Sequence, residues 1–80
     1  MGVKDAVVSR FLTLCRGRHI RLNELATRSG VTPSTVYSMV SNQRHDISMI
    51  TVKKLCDGLD ITLTEFFDSP EFESLEQEIQ

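Results

Sequence analysis

The 80-residue sequence has no tryptophan, one tyrosine, two cysteines and two prolines. It also lacks any apolar run near the roughly 18 residues that a membrane span needs. Its first ten residues hold no signal-peptide core, because Lys4, Asp5, Ser9 and Arg10 interrupt it. A cytoplasmic chain without membrane attachment is therefore expected. Two cysteines are too few for a disulfide framework. Cys15 and Cys56 both fall on apolar helical faces and read as buried free thiols. There is no Cys-x-x-Cys, and His19 and His45 sit in no ligand spacing, so no metal is expected. A nucleophile–base constellation and a phosphate-cradling glycine loop are also missing. The sequence gives no reason to expect an enzyme or a cofactor. What remains is an ordinary globular balance, 40% hydrophobic and 25% charged, rather than a disordered chain. One domain of this size buries only about 60–65% of its unfolded surface, so a partner subunit would help its thin core.

The most informative shortage is of positive charge after Lys54. Residues 1–54 hold all nine basic residues and three acids, whereas residues 55–80 hold eight acids and no Lys or Arg. The net charge of −2 conceals this split. One end can face a polyanion while the other is held away from it, although solvated faces would give the same counts.

Helical periodicity is what the chain does have. Val7, Val8, Phe11, Leu12, Leu14 and Cys15 form a wide stripe, predicting a helix from about Lys4 to Arg16 that Gly17 ends. A second helix starts near Leu22, turns Leu25 and Ala26 inward and stops at Gly30. Thr32-Pro33 reads as an N-cap followed by proline in the first helical position. Val36, Met39 and Val40 continue that third helix, and Asn42 is its expected left-handed stop. Ser48 caps a fourth helix with Val52, Leu55, Cys56 and Leu59 inside. Thr62 caps a short fifth helix with Leu63, Phe66 and Phe67. Ser69-Pro70 reads as another cap, opening an acidic helix whose apolar stripe is Phe72, Leu75 and Ile79. No internal repeat and no alternating strand pattern is evident. The expected fold is all-α, a compact five- or six-helix domain over residues 1–68 with an acidic amphipathic tail over 69–80.

The run LNELATRSGVTPSTVYSMVS, residues 22–41, meets the demands of two short helices crossing steeply around a tight turn. Ala26 is small at the crossing. Gly30 tolerates positive φ. Leu25, Val31, Val36 and Met39 anchor both helices, and Pro33 sits where it breaks neither. On these residues, together with the downstream TVKKLCDGLDITLTEFF, the chain resembles the Cro/repressor-like (XRE-like) helix-turn-helix family from about Phe11 to Phe67.

That resemblance implies a sequence-specific regulator of transcription, a repressor in expectation, that binds double-stranded DNA as a homodimer. Its recognition helix, about residues 33–41, would enter the major groove. Thr32, Pro33, Ser34, Tyr37 and Ser38 would meet base edges. Thr35, Ser41 and the loop Asn42, Gln43, Arg44 and His45 would meet the sugar-phosphate backbone, as would Arg21, Leu22 and Asn23. Many members carry Gln where this chain has Leu22, which would be left with its backbone N–H and the helix dipole. The resemblance also suggests a bacterial, phage or mobile-element origin. No small-molecule effector is expected within so short a chain.

Residues 32–41 contain no Arg, Lys, Gln or Asn, the usual bidentate readers of guanine and adenine. Hydroxyls, the Pro33 ring and Tyr37 remain, which suggests A·T pairs read partly through thymine methyls. Phe72, Leu75 and Ile79 would fold back on the core, form a dimer seam or bind another protein. In the last case the chain would be a protein-interaction module, antitoxin-like or antirepressor-like.

Overall fold

A computed structural model describes residues 2–41 and 46–79. Five α-helices follow one another: α1 (Val3–Gly17), α2 (Leu22–Ser29), α3 (Pro33–Val40), α4 (Met49–Gly58) and α5 (Leu63–Phe67). A single 3-10 turn, Pro70–Phe72, comes last, and no strand occurs among the described residues. No helix there is long and apolar enough to cross a membrane.

The core follows the helical stripes. Val7, Phe11 and Cys15 come from α1, Leu25 and Ala26 from α2, Val36 and Met39 from α3, and Val52, Leu55 and Cys56 from α4; all are buried, with Leu59 and Phe66. Phe11 and Phe66 stack at its centre, ring centroids 4.4 Å apart. Both thiols are free and buried. Burial raises their pKa values, that of Cys56 to about 11, because low dielectric disfavours the thiolate. Leu12, placed on the inward stripe by its spacing, is instead exposed. The stripe is narrower than the sequence suggested.

The helix starts use the expected chemistry. Thr32 accepts from the Thr35 N–H, and Ser48 accepts from Ile50 and Thr51. Thr62 and Glu65 form a reciprocal capping box at 3.0 Å in both directions. Those bonds hold the Glu65 carboxyl below its ordinary pKa.

One helix end departs from expectation. Gly17 is helical, and the left-handed residue is His19, with φ 57°. The same turn ends α4, where Asp60 has φ 57°. The bonding matches as well: Ile20 N–H donates to Cys15 and Ile61 N–H to Cys56, each at 3.0 Å. His19 and Asp60 likewise bond Arg16 and Asp57 at 3.2 and 3.0 Å. These are Schellman-type closures. They sit on related sequences, LCRGRHIRLNEL at 14–25 and LCDGLDITLTEF at 55–66. The chain therefore does contain a short repeat, of helix end, left-handed turn and helix start.

Helix α1 and its C-cap residue Arg18 also fasten the ends of three other helices. Arg10 donates from Nε to the Phe66 carbonyl at 2.8 Å and from a terminal nitrogen to the Glu65 carbonyl at 3.0 Å. Arg18 donates to the Leu59 carbonyl beyond α4, and Lys4 to the Ser41 carbonyl beyond α3. Helix C-termini carry unsatisfied carbonyls and partial negative charge, so cations are favoured there.

The acidic helix expected after Ser69 is not formed. Past the 3-10 turn, residues 73–79 have no regular structure. Ser69 lies at the N-cap but caps nothing; its hydroxyl donates to the Glu71 carboxylate, holding that carboxyl below its ordinary pKa. Phe72 packs against Phe66 and Phe67, at 5.7 and 4.8 Å between centroids. Leu75 is half-buried and Ile79 is 87% exposed. The three do not form one stripe, because the aromatic cluster takes Phe72 and the chain beyond it is not helical.

Candidate nucleic-acid interface

The turn between α2 and α3 is set by Gly30, whose φ of 70° closes α2 in the left-handed region. The Val31 N–H donates back to the Ala26 carbonyl at 3.1 Å. Ala26 and Leu25 are fully buried, as is Val36, so the two helices are fixed on the core by their inner faces. A residue with a Cβ at position 30 would be strained by the backbone alone.

The outer face of α3 is open. Thr32, Pro33, Ser34, Thr35 and Tyr37 are exposed, and Ser38 is half-buried. Tyr37 keeps 50% of its surface accessible, which removes it from the core. Thr32 Oγ1 lies 3.0 Å from Ser34 Oγ and 2.9 Å from Thr35 Oγ1. It also accepts from the Thr35 N–H at 3.3 Å. The first turn of α3 is thus a connected cluster of three hydroxyls. Beside it an open groove of about 410 Å³ runs between α3 and the start of α4, with Ser34, Thr35 and Ser38 on one wall and Ser48 and Thr51 on the other. In the sequence Ser48 reads only as a cap, and Thr51 carries no signal of its own. Their joint position depends on how α4 packs across the fold, which local spacing does not encode.

Arg21 occupies the N-cap of α2, exposed and with no side-chain cap bond. Leu22 is half-buried and packs against the core, and Asn23 is exposed. The corresponding position in the second copy of the turn is Thr62, which caps α5. The Glu that completes that box, Glu65, has its counterpart in Glu24. Glu24 instead pairs with Arg28 at 2.7 Å. The start of α2 therefore presents amide groups that no side chain occupies, next to a guanidinium.

The uneven charge along the sequence is only partly a surface field. Lys4, Arg10 and Arg18 are committed to carbonyls, and Arg28 and Lys53 to the i, i+4 acids Glu24 and Asp57. Among the described residues, Arg16, Arg21 and Lys54 are left without such partners. Ser41 is half-buried at the end of α3. Asn42, Gln43, Arg44 and His45 lie outside the described residues.

Comparison with known proteins agrees with this geometry. Residues 10–71 match the family model of the Cro/C1-type HTH DNA-binding domain. A similar solved structure is the crystal structure of the prophage Lp1 protein 11, at 26% identity and a TM-score of 0.82, covering 94% of this chain and 100% of that one. No curated protein sequence matches.

Proposed function

Because the chain belongs to the Cro/C1-type helix-turn-helix DNA-binding family, we propose that it is a sequence-specific regulator of transcription, a repressor that binds double-stranded DNA as a homodimer. The observation that carries this reading is the pairing of an open, hydroxyl-rich α3 face with the uncapped, arginine-bearing start of α2. In the proposed complex α3 lies in the major groove. Thr32, Pro33, Ser34, Tyr37 and Ser38 meet base edges. Thr35, Ser41, Arg21, Asn23 and the loop residues Asn42, Gln43, Arg44 and His45 meet the backbone. Leu22 takes part through its N–H, since its side chain is given to the core.

One such motif reads few bases. A two-fold pair reads two half-sites about 34 Å apart, which is the reason for proposing a dimer. Residues 1–68 form the DNA-binding body in this proposal. The acidic tail, 69–80, stays off the phosphates and is available for a partner surface. The protein acts without a cofactor or catalytic step, in the cytoplasm of a bacterium or of a phage-infected cell. The exposed Ile79, in an acidic segment, favours a second reading as a protein-interaction module.

Selection of the purified protein against a random duplex pool, followed by salt titration of the enriched sequence, separates these. An enriched inverted repeat whose binding weakens steeply with salt, by about 0.9 in log–log slope per phosphate neutralised, supports the regulator. Failure to enrich any sequence overturns it and favours the protein partner.

A further inference from the structure

The hydroxyl cluster at the start of α3 constrains what its face can distinguish. Thr32 Oγ1 has two lone pairs and one hydrogen. The Thr35 N–H takes one lone pair. The other lone pair and the hydrogen are then left for Ser34 Oγ and Thr35 Oγ1, one each. Two of the three hydroxyl hydrogens are consumed inside the cluster. Within the cluster one hydroxyl hydrogen remains for a base; the Tyr37 and Ser38 hydroxyls lie outside it and, like any hydroxyl, both donate and accept.

Residues 32–41 also include no Arg, Lys, Asn, Gln, Asp or Glu. Nothing on this face demands the paired acceptors of guanine or the donor–acceptor pair of adenine. Nor does a hydroxyl separate pyrimidines at C4. Thymine offers an acceptor there and cytosine a donor, and a hydroxyl pairs with either. Besides hydroxyls, the exposed base-facing positions offer apolar groups: the Pro33 ring, the Thr32 methyl group and the Tyr37 ring. Such groups register whether a pyrimidine carries a C5 methyl and little else.

We propose that α3 reads the C5 methyl of pyrimidines rather than a base pair, so that 5-methylcytosine·guanine replaces thymine·adenine in its site. This rests on the DNA-binding reading above and deepens it. Cytosine methylation then acts as a positive signal for binding. A duplex carrying cytosine at a contacted position is a weak site until its C5 position is methylated.

The test uses the full chain and the duplex enriched by selection, so folding of the protein is the same throughout. At each thymine three replacements are made: uracil, which lacks only the methyl, 5-methylcytosine paired with guanine, and cytosine paired with guanine. Fluorescence anisotropy reads the affinity. Uracil is expected to weaken binding about fourfold at each contacted position, the value of one buried methyl. 5-Methylcytosine is expected to bind about fourfold better than cytosine at the same positions. In Pro33→Ala the uracil penalty should shrink at the position that Pro33 covers. Uracil tolerated at every thymine overturns the proposal, as does 5-methylcytosine binding no better than cytosine. Those results leave the DNA-binding reading standing. If no duplex is enriched at all, it is that reading that fails.

Discussion

Replacing Arg21 by threonine should make the protein more stable and a poorer DNA binder. The backbone is already suited to the change. Arg21 has φ −91° and ψ 162°, and the capping Thr62 has φ −84° and ψ 163°. Three residues on, each site carries a glutamate. A threonine hydroxyl at position 21 can therefore accept from the Glu24 N–H, while the Glu24 carboxylate accepts from the N–H at position 21. A Ser or Thr cap contributes about 0.5–2 kcal/mol. Against this, Glu24 would leave Arg28, an i, i+4 pair with both side chains about half exposed, where such pairs contribute about 0.3–0.5 kcal/mol. With the typical cap value of about 1 kcal/mol, the net is a gain of about 0.5–0.7 kcal/mol, or some 2–6 °C in Tm for a domain of this size. Circular dichroism at the helix band measures the gain. The same substitution removes a cation and occupies the free amides at the start of α2. On DNA it should weaken binding and reduce the log–log salt slope by about 0.9 for the one phosphate lost. A Tm that stays the same or falls would refute the capping argument. A raised Tm with an unchanged salt slope would show that Arg21 holds no phosphate.

Other substitutions probe the scaffold. Gly58 faces Ser29 across the α2–α4 contact, where an added Cβ would lie 3.1 Å from the Ser29 Cα and overlap its hydroxyl. Gly58→Ala should cost about 1–3 kcal/mol of overpacking, read as a lower midpoint in urea. Arg10→Met strips the Glu65 and Phe66 carbonyls of a charged donor. It should cost about 1–3 kcal/mol, read by thermal melting. The Cys56 thiol, raised to about 11 from 9.0, stays protonated in the fold where it would ionise in the unfolded chain. Its contribution is complete below pH 9 and is lost between about pH 9 and 11. Cys56→Ala should flatten the alkaline fall in stability measured across that window.

Much of this fold can be read from the sequence because its helices are marked at both ends by local chemistry. Thr32-Pro33, Ser48 and Thr62 are capping signals that need no tertiary partner, and Gly30 adopts the left-handed turn its position called for. The failures are where a turn closure or a packing contact competes with the helical pattern. Gly17 looks like a terminator, but the Ile20–Cys15 closure moves the left-handed residue to His19. Histidine is among the side chains enriched in that conformation, though less so than glycine. The spacing of Phe72, Leu75 and Ile79 suits a helix. The aromatic cluster of Phe66 and Phe67 captures Phe72 first, and residues 73–79 bury no side chain fully, so little packing supports a helix there. Counting Arg and Lys could not show which ones would be spent on carbonyls. Position 21 was singled out in the sequence as a phosphate contact. Its special condition, a cap missing from one of two matching turns, becomes visible only when both are seen folded.

The clasp formed by α1 has a consequence for presentation. Helices of five to ten residues, such as α3, α4 and α5, are marginal alone, since nucleation costs more than so few bonds return. Here the ends of all three are tied to one longer helix or its C-cap, through Lys4 and Arg10 in α1 and Arg18 just after it. None of them can fray at that end without breaking that bond. Opening becomes a concerted event rather than a local one. The outer face of α3 is thereby held ready in shape before any ligand arrives. Side chains such as Pro33 and Tyr37 sit on a preorganised backbone, and little further ordering of that backbone is needed when a partner binds.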